Sequence, residues 1–229
     1  MRLRNWCGVL FFLSTSLACF GQNWRFSSPW VGGISQVKIN EKLVLHNDVH
    51  FVEGLFWANL HGLGYRVHKN LLVSGGYGFI TTSTAFENKL KRYENRAWGQ
   101  LLWQYPINEN WRLQARFRYD ARFRRSIENN DFAEGFDFNN RWRFQIAARR
   151  KVYQFNEKHR LNIEHFSELL LRSGQKISTP LDRWRNFTML GWQTKKTNTL
   201  LGWHVRTVGA GNQQFIHNHG PVMWWIVIL

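Results

Sequence analysis

His165-Phe166-Ser167 places a base and a nucleophile at a spacing that could do chemistry. On an extended strand, residues i and i+2 point to one face, about 6.6 Å apart along the chain. A histidine so placed can activate a serine hydroxyl against an ester, given a third group to orient the imidazole. Asn186, on the next strand, has the parity for that third role. The other groupings offer less. His217-Asn218-His219 brings two imidazoles but no carboxylate cluster, so solvated histidines are the simpler account and no metal site is assigned. His46, Asp48 and His50 share a strand face and fit a polar row better than a cation site. Ser74-Gly75-Gly76-Tyr77-Gly78 lacks the lysine and following helix of a phosphate-binding loop, and its glycines suit a strand beside aromatics. No cofactor is implied.

The elements that must carry these residues have a period of two. Trp111, Leu113, Ala115, Phe117, Tyr119, Ala121 and Phe123 alternate with Arg112, Gln114, Arg116, Arg118, Asp120 and Arg122. A helix would spread those arginines around its circumference, so the stretch is a β-strand. It is also long beside the usual five or six residues of a soluble strand. Trp142, Phe144, Ile146 and Ala148 likewise alternate with Arg141, Arg143, Gln145 and Arg149. Leu161, Ile163, Leu169 and Leu171 oppose Asn162, Glu164, Glu168 and Arg172. Ala97, Leu101, Trp103 and Tyr105 oppose Glu94, Arg96, Gln100 and Gln104. Residues 182–194, 200–208 and 215–229 alternate less cleanly, and the last stretch is apolar on both faces from Val222 onward.

Five short connections, near Asn40, Lys69, Asn108, Asn156 and Lys195, take turns with longer ones near 82–93, 125–138, 173–181 and 209–215, and with a less distinct one near Glu53-Gly54. Tight turns on one side and long loops on the other are the layout of an outer-membrane barrel. Counting six hairpins gives an all-β, antiparallel, up-and-down transmembrane barrel of about twelve strands, with ten as the fallback if none forms near Trp24–Trp30.

The N-terminus agrees with export. Met1–Gly21 carries Arg2 and Arg4, a short apolar centre, and small residues before Gln22, the pattern of a secretory signal peptide. Lipid attachment at Cys19 would want an aliphatic residue where Ser16 stands. Removing residues 1–21 from 229 leaves 22–229, a stretch of 208 residues without cysteine, so no disulfide can stabilise it; losing Arg2 and Arg4 takes the net charge from +16 to +14. So basic a chain raises nucleic acid as a partner, but export from the cytoplasm excludes it. With 13 Trp and 18 Phe it is no disordered basic tail either. Aromatics at the strand ends (Tyr105, Trp111, Tyr153, Phe155) suit an interfacial girdle. The expected location is the outer membrane of a Gram-negative bacterium, with apolar rows in lipid and polar rows inside.

That arrangement turns Glu94, Arg96, Gln100, Arg112, Arg116, Arg118, Asp120, Arg122, Arg141, Arg143, Glu164, Glu168 and Arg185 into the lumen. Arginine's planar fork binds carboxylates bidentately, so an ion-pair network is expected, and the excess of arginine leaves the lumen positive. A small anion is a possible partner there. Lys89, Lys91 and Arg92, at a loop, would meet lipopolysaccharide. The sequence sets no oligomeric state.

Tyr93-Glu94-Asn95-Arg96 with Gln100, Leu113 through Phe123, Asn140-Arg141-Trp142-Arg143, and Asp182-Arg183-Trp184-Arg185-Asn186 leading to Gly191-Trp192 together resemble a family of small Gram-negative outer-membrane barrels known only as a domain of unknown function. The resemblance covers about residues 24–229 and implies an outer-membrane location with no assigned activity. One departure concerns the barrel assembly machinery, the expected partner in insertion: such barrels often end in Phe, and this chain ends Ile226-Val227-Ile228-Leu229. Two functions follow as expectations. One is a non-enzymatic envelope protein, structural or a narrow anion-favouring passage. The other is a lipid hydrolase of the outer-membrane phospholipase or lipid A deacylase type, in which His165 and Ser167 act from the lipid-facing wall.

Overall fold

The computed structural model describes residues 24–84, 90–174, 177, 180–211 and 214–229. Residues 1–21, the expected signal peptide, and Lys89 lie outside them. Twelve strand segments run in chain order: β1 (Trp24–Phe26), β2 (Trp30–Lys38), β3 (Leu43–Val52), β4 (Phe56–His68), β5 (Leu71–Ser83), β6 (Lys91–Pro106), β7 (Trp111–Glu128), β8 (Asp131–Gln154), β9 (Arg160–Ser173), β10 (Leu181–Gln193), β11 (Thr197–Gly211) and β12 (Gln214–Ile228). From β2 to β12 each segment pairs antiparallel with the next, and β12 pairs with β2 to close a barrel.

The wall itself has eleven members. An odd number of up-and-down strands leaves the first and last pointing the same way, and the β12–β2 seam is accordingly parallel, with Val222–Ile228 beside Trp30–Gln36. The twelfth segment, β1, does not widen the wall. It lies along the same side of β12 beyond β2, with Trp24 opposite His217. The sequence expectation of twelve segments, one of them near Trp24–Trp30, therefore holds, but its two N-terminal pieces share one place in the ring. Pro29, without an N–H, separates them. The odd count also puts Trp24 and Leu229 at opposite ends.

The short turns lie at Leu229's end, and four of the five share one mechanism. Asn40 Oδ1 accepts the backbone N–H of Lys42 and Leu43 (2.9 and 2.8 Å). Asn108 does the same for Asn110 and Trp111, and Asn156 for Lys158 and His159. Thr194 Oγ1 substitutes in the β10–β11 turn, accepting from Lys196 and Thr197. Side-chain oxygens that capture amides two and three residues on are what favour Asn and Thr in turns. At the opposite, loop end, the expected long loop at 125–138 is instead a continuation of β7 and β8. They turn at Asn129-Asn130, both with positive φ (49° and 62°), as a two-residue type I′ connection requires.

Alternation decides the two faces. Along β5 and β6, Leu72, Ser74, Ile80, Glu94, Trp98 and Leu102 are buried, while Val73, Tyr77, Phe79, Leu101 and Trp103 are exposed. The Ser74–Gly78 glycines sit in β5. A Cβ on Gly76 would lie 1.9 Å from the His61 carbonyl oxygen, and one on Gly62 2.5 Å from the Trp98 ring, so these glycines let backbone and indole pack closely inside the barrel.

Candidate functional site

The interior is the one place where the sequence-predicted polar residues meet, and its strands bring them together by register. Arg96 stands beside Arg122, Asp120 beside Arg141, Arg118 beside Arg143, and Glu168 beside Gln145 and Arg185. A carboxylate on one strand is thus flanked by guanidinium groups from the strands around it. Glu94, 1% exposed, accepts from Arg96 Nε at 2.8 Å and from Arg122 at 2.7 and 2.9 Å. Asp120, fully buried, holds Arg118 Nε at 2.7 Å and lies 3.5 Å from Arg96 and 3.7 Å from Arg143. Glu168, also fully buried, takes Arg116 at 2.8 Å, Arg143 at 2.9 Å and Arg185 at 2.5 Å. Arg96 and Arg143 each touch two acids, so Glu94, Asp120 and Glu168 form one continuous chain across four strands.

Toward the short-turn end, Glu164 binds Arg149 (2.9 Å) and Asn198 (2.7 Å), and Gln104, Gln114 and Gln145 hydrogen-bond in series. Gln100 is buried on the same inner row. Arg112 is exposed at that mouth, in register with Arg149.

Sequence reasoning missed several members. Asp182 binds Arg141 at 2.6 Å and lies 3.4 Å from Arg183, next to a register shift that hides its facing from simple parity. Arg92, expected at the surface, instead donates to Asp137 (2.5 Å) and to the Arg125 carbonyl (2.6 Å), while Lys91 is exposed. Asp48 pairs with His50 (2.7 Å), whose other ring nitrogen takes the indole N–H of Trp30 (3.1 Å). Among the described residues no three His, Cys, Asp or Glu side chains form a metal-sized group.

The expectation of a polar interior needs a correction on the other side of the ring. Trp30, Val52, Phe166, Phe187, Met189, Leu200 and Val222 face inward as a buried apolar cluster, with Trp224 packed against it. Phe187 stacks on Phe166 (centroids 4.4 Å apart), and Trp30 meets Phe187 edge-on at 5.2 Å. This explains the blurred alternation after residue 182: strands with an apolar inner face as well as an apolar outer one cannot alternate. The two halves join where Arg185 lies over the Trp30 ring (5.2 Å) and Arg118 over Trp98 (4.6 Å).

His165 and Ser167 stand on the outer face, because Phe166 between them is buried. Each is held by a different residue of β10. His165 Nδ1 is hydrogen-bonded to Thr188 Oγ1 (2.9 Å), and Ser167 Oγ accepts from Trp184 Nε1 (2.8 Å). The register sets this: Thr188 lies opposite His165, whereas Asn186 lies opposite Ser167. Asn186 thus has the parity but not the position to orient the imidazole. His217 and His219 pack against Trp24, and His217 Nδ1 is bonded to Thr207.

A family model described as a protein of unknown function, DUF2490, matches residues 28–209, from just before β2 to near the end of β11. The chain belongs to the DUF2490 family. Within this DUF2490 chain the matched span holds Glu94, Asp120, Glu164, Glu168 and Asp182 with their arginines, while β1 and β12, which pair with each other, lie beyond it. No curated protein and no solved structure matches the chain at a significant level.

Proposed function

We propose that this protein is an outer-membrane barrel that serves the envelope as a closed, structural element, its lumen filled by its own side chains. Support for the membrane comes from the inverted distribution of polarity. Arginines and carboxylates are buried, while Leu63, Leu101, Ile146, Leu190, Leu201 and Met223 are exposed on the outer wall. In water such a wall would be a very large apolar patch; in hydrocarbon it is the favoured surface, and the closed ring of β2 to β12 gives each wall strand a neighbour on both sides. Aromatic rings gather at both ends, as Trp103–Tyr105 and Phe155–Trp192 near the short turns and as Phe79–Tyr93 and Phe123–Phe138 toward the loops. They suit two interfacial girdles. The short-turn end would then be periplasmic, and insertion would fall to the barrel assembly machinery.

The closed lumen rests on one observation. Every wall strand, from Trp30 on β2 through Asp120, Glu168 and Phe187 to Val222 on β12, presents an inward side chain that is less than a tenth exposed. A continuous water column would wet at least some of them at each level. The test is planar-bilayer recording on the purified, refolded barrel, beside cell fractionation. No steady conductance and recovery with the outer membrane are expected. An ohmic, anion-selective conductance would favour the narrow passage over the plug, and release as a water-soluble chain would remove the membrane reading altogether. Lipid hydrolysis by His165 and Ser167 carries less support, since no hydrogen bond joins the two side chains, each being held instead by a neighbour on β10, Thr188 or Trp184.

A further inference from the structure

On β6–β9 each buried carboxylate is shared among several arginines, whereas β11 carries a buried arginine with no carboxylate of its own among the described residues. Glu168 on β9, Arg185 on β10, Arg206 on β11, Asn218 on β12 and Arg25 on β1 stand side by side in one row. Four strand boundaries separate the single carboxylate of this row from its far end. Glu168 is already engaged by Arg116, Arg143 and Arg185. Arg206 is only 5% exposed, yet among the described residues it forms no ion pair, and its Nε has no hydrogen-bond partner. Its charged neighbours on β10 are Arg185, directly opposite and already bound to Glu168, and Arg183, one inward position nearer the loop end. Asp182, the acid beside Arg183, is also bound by Arg141 at 2.6 Å.

A guanidinium withdrawn from water without a counter-charge is strongly unfavourable, and a second cation beside it worsens the position. A bound anion resolves both. Arginine's planar fork presents paired N–H groups that match two oxygens of one ligand, which selects an oxyanion over a spherical halide. We propose that Arg206 and Arg183 form a binding site for a small free oxyanion of the phosphate or sulfate class, in the loop-end half of the interior above His204 and Trp30. His204, two residues below Arg206 on the same inner face, packs against Trp30 (5.6 Å) and closes the site from below. The inward facing separates the site from the lipid-exposed wall, so the ligand is an ion in solution rather than a lipid headgroup. The proposal stands independently of whether the barrel conducts.

Titration calorimetry of the full barrel tests this, in neutral detergent, with inorganic phosphate exchanged for chloride at constant ionic strength. Saturable binding of one phosphate per chain is expected. Arg206→Gln should weaken it at least tenfold, Arg183→Gln by less, and Arg206→Lys, which keeps charge but loses the fork, by an intermediate factor. Arg150→Gln, on an exposed side chain over Trp111, should change nothing. If Arg206→Gln does not fold as a heat-modifiable barrel, Arg206→Lys and Arg183→Gln carry the comparison. Absence of saturable binding to the unaltered protein, or equal affinity in the Arg206 and Arg183 variants, overturns the site. Repeating the titration in bilayer discs separates the two phosphate sources: binding in purely zwitterionic lipid is expected, and binding that requires an anionic lipid headgroup overturns the free-ion assignment.

Discussion

The two halves of the barrel interior fill the same kind of space by opposite means. Around β6–β9, Glu94, Asp120 and Glu168 are held by arginines at hydrogen-bond distance; around β10–β12 and β2, Phe187, Leu200, Val222 and Trp30 pack as an ordinary hydrophobic core. Both are nearly inaccessible to water. The apolar half gains from each methylene it buries and tolerates small changes of shape. The charged half stays favourable only while every partner is present, because each carboxylate offsets several cations. Identical burial therefore carries different risk.

The comparison is broken most severely at Glu168. In Glu168→Gln three arginines face a neutral amide, and a loss of about 4 kcal/mol is expected, the range seen when one partner of a buried pair is removed. Denaturant unfolding of the refolded barrel measures it; a loss below about 1 kcal/mol would mean that water already reaches this network. Phe187→Ala, in the apolar half, should cost about 3 kcal/mol through lost contact and an unfilled cavity. Phe187→Leu should recover most of that in the same unfolding series, whereas no single neutral residue can rescue Glu168. Smallest of all is Ser167→Ala on the outer wall. Its hydroxyl only accepts from Trp184, so stability should change by about 0.5 kcal/mol or less, and turnover of a phospholipid ester should not change. A fall in turnover would restore the His165–Ser167 hydrolase.

What was legible in the sequence follows this division. Trp111–Phe123 shows its fold directly, since strict alternation arises wherever one face meets charge and the other does not. Asn40, Asn108 and Asn156 were legible as turns for an equally local reason, a side chain that bonds its own backbone. Phe187, Met189 and Trp224 were not legible as interior residues, because an apolar side chain carries no mark of whether lipid or protein covers it. Asp182 and Arg92 were missed because a register shift and a loop boundary break the parity on which the facing of their neighbours rests.

Period, strand length and turn chemistry sufficed to determine an all-β chain with its arginines on one face, because these depend on residues close together along the backbone. Only the tertiary structure decided that the ring closes on eleven members with a parallel seam, that Thr188 rather than Asn186 faces His165, and that Arg206 has no carboxylate partner among the described residues. Those outcomes depend on register between strands distant in sequence, and register is a property of the closed sheet that no single strand encodes.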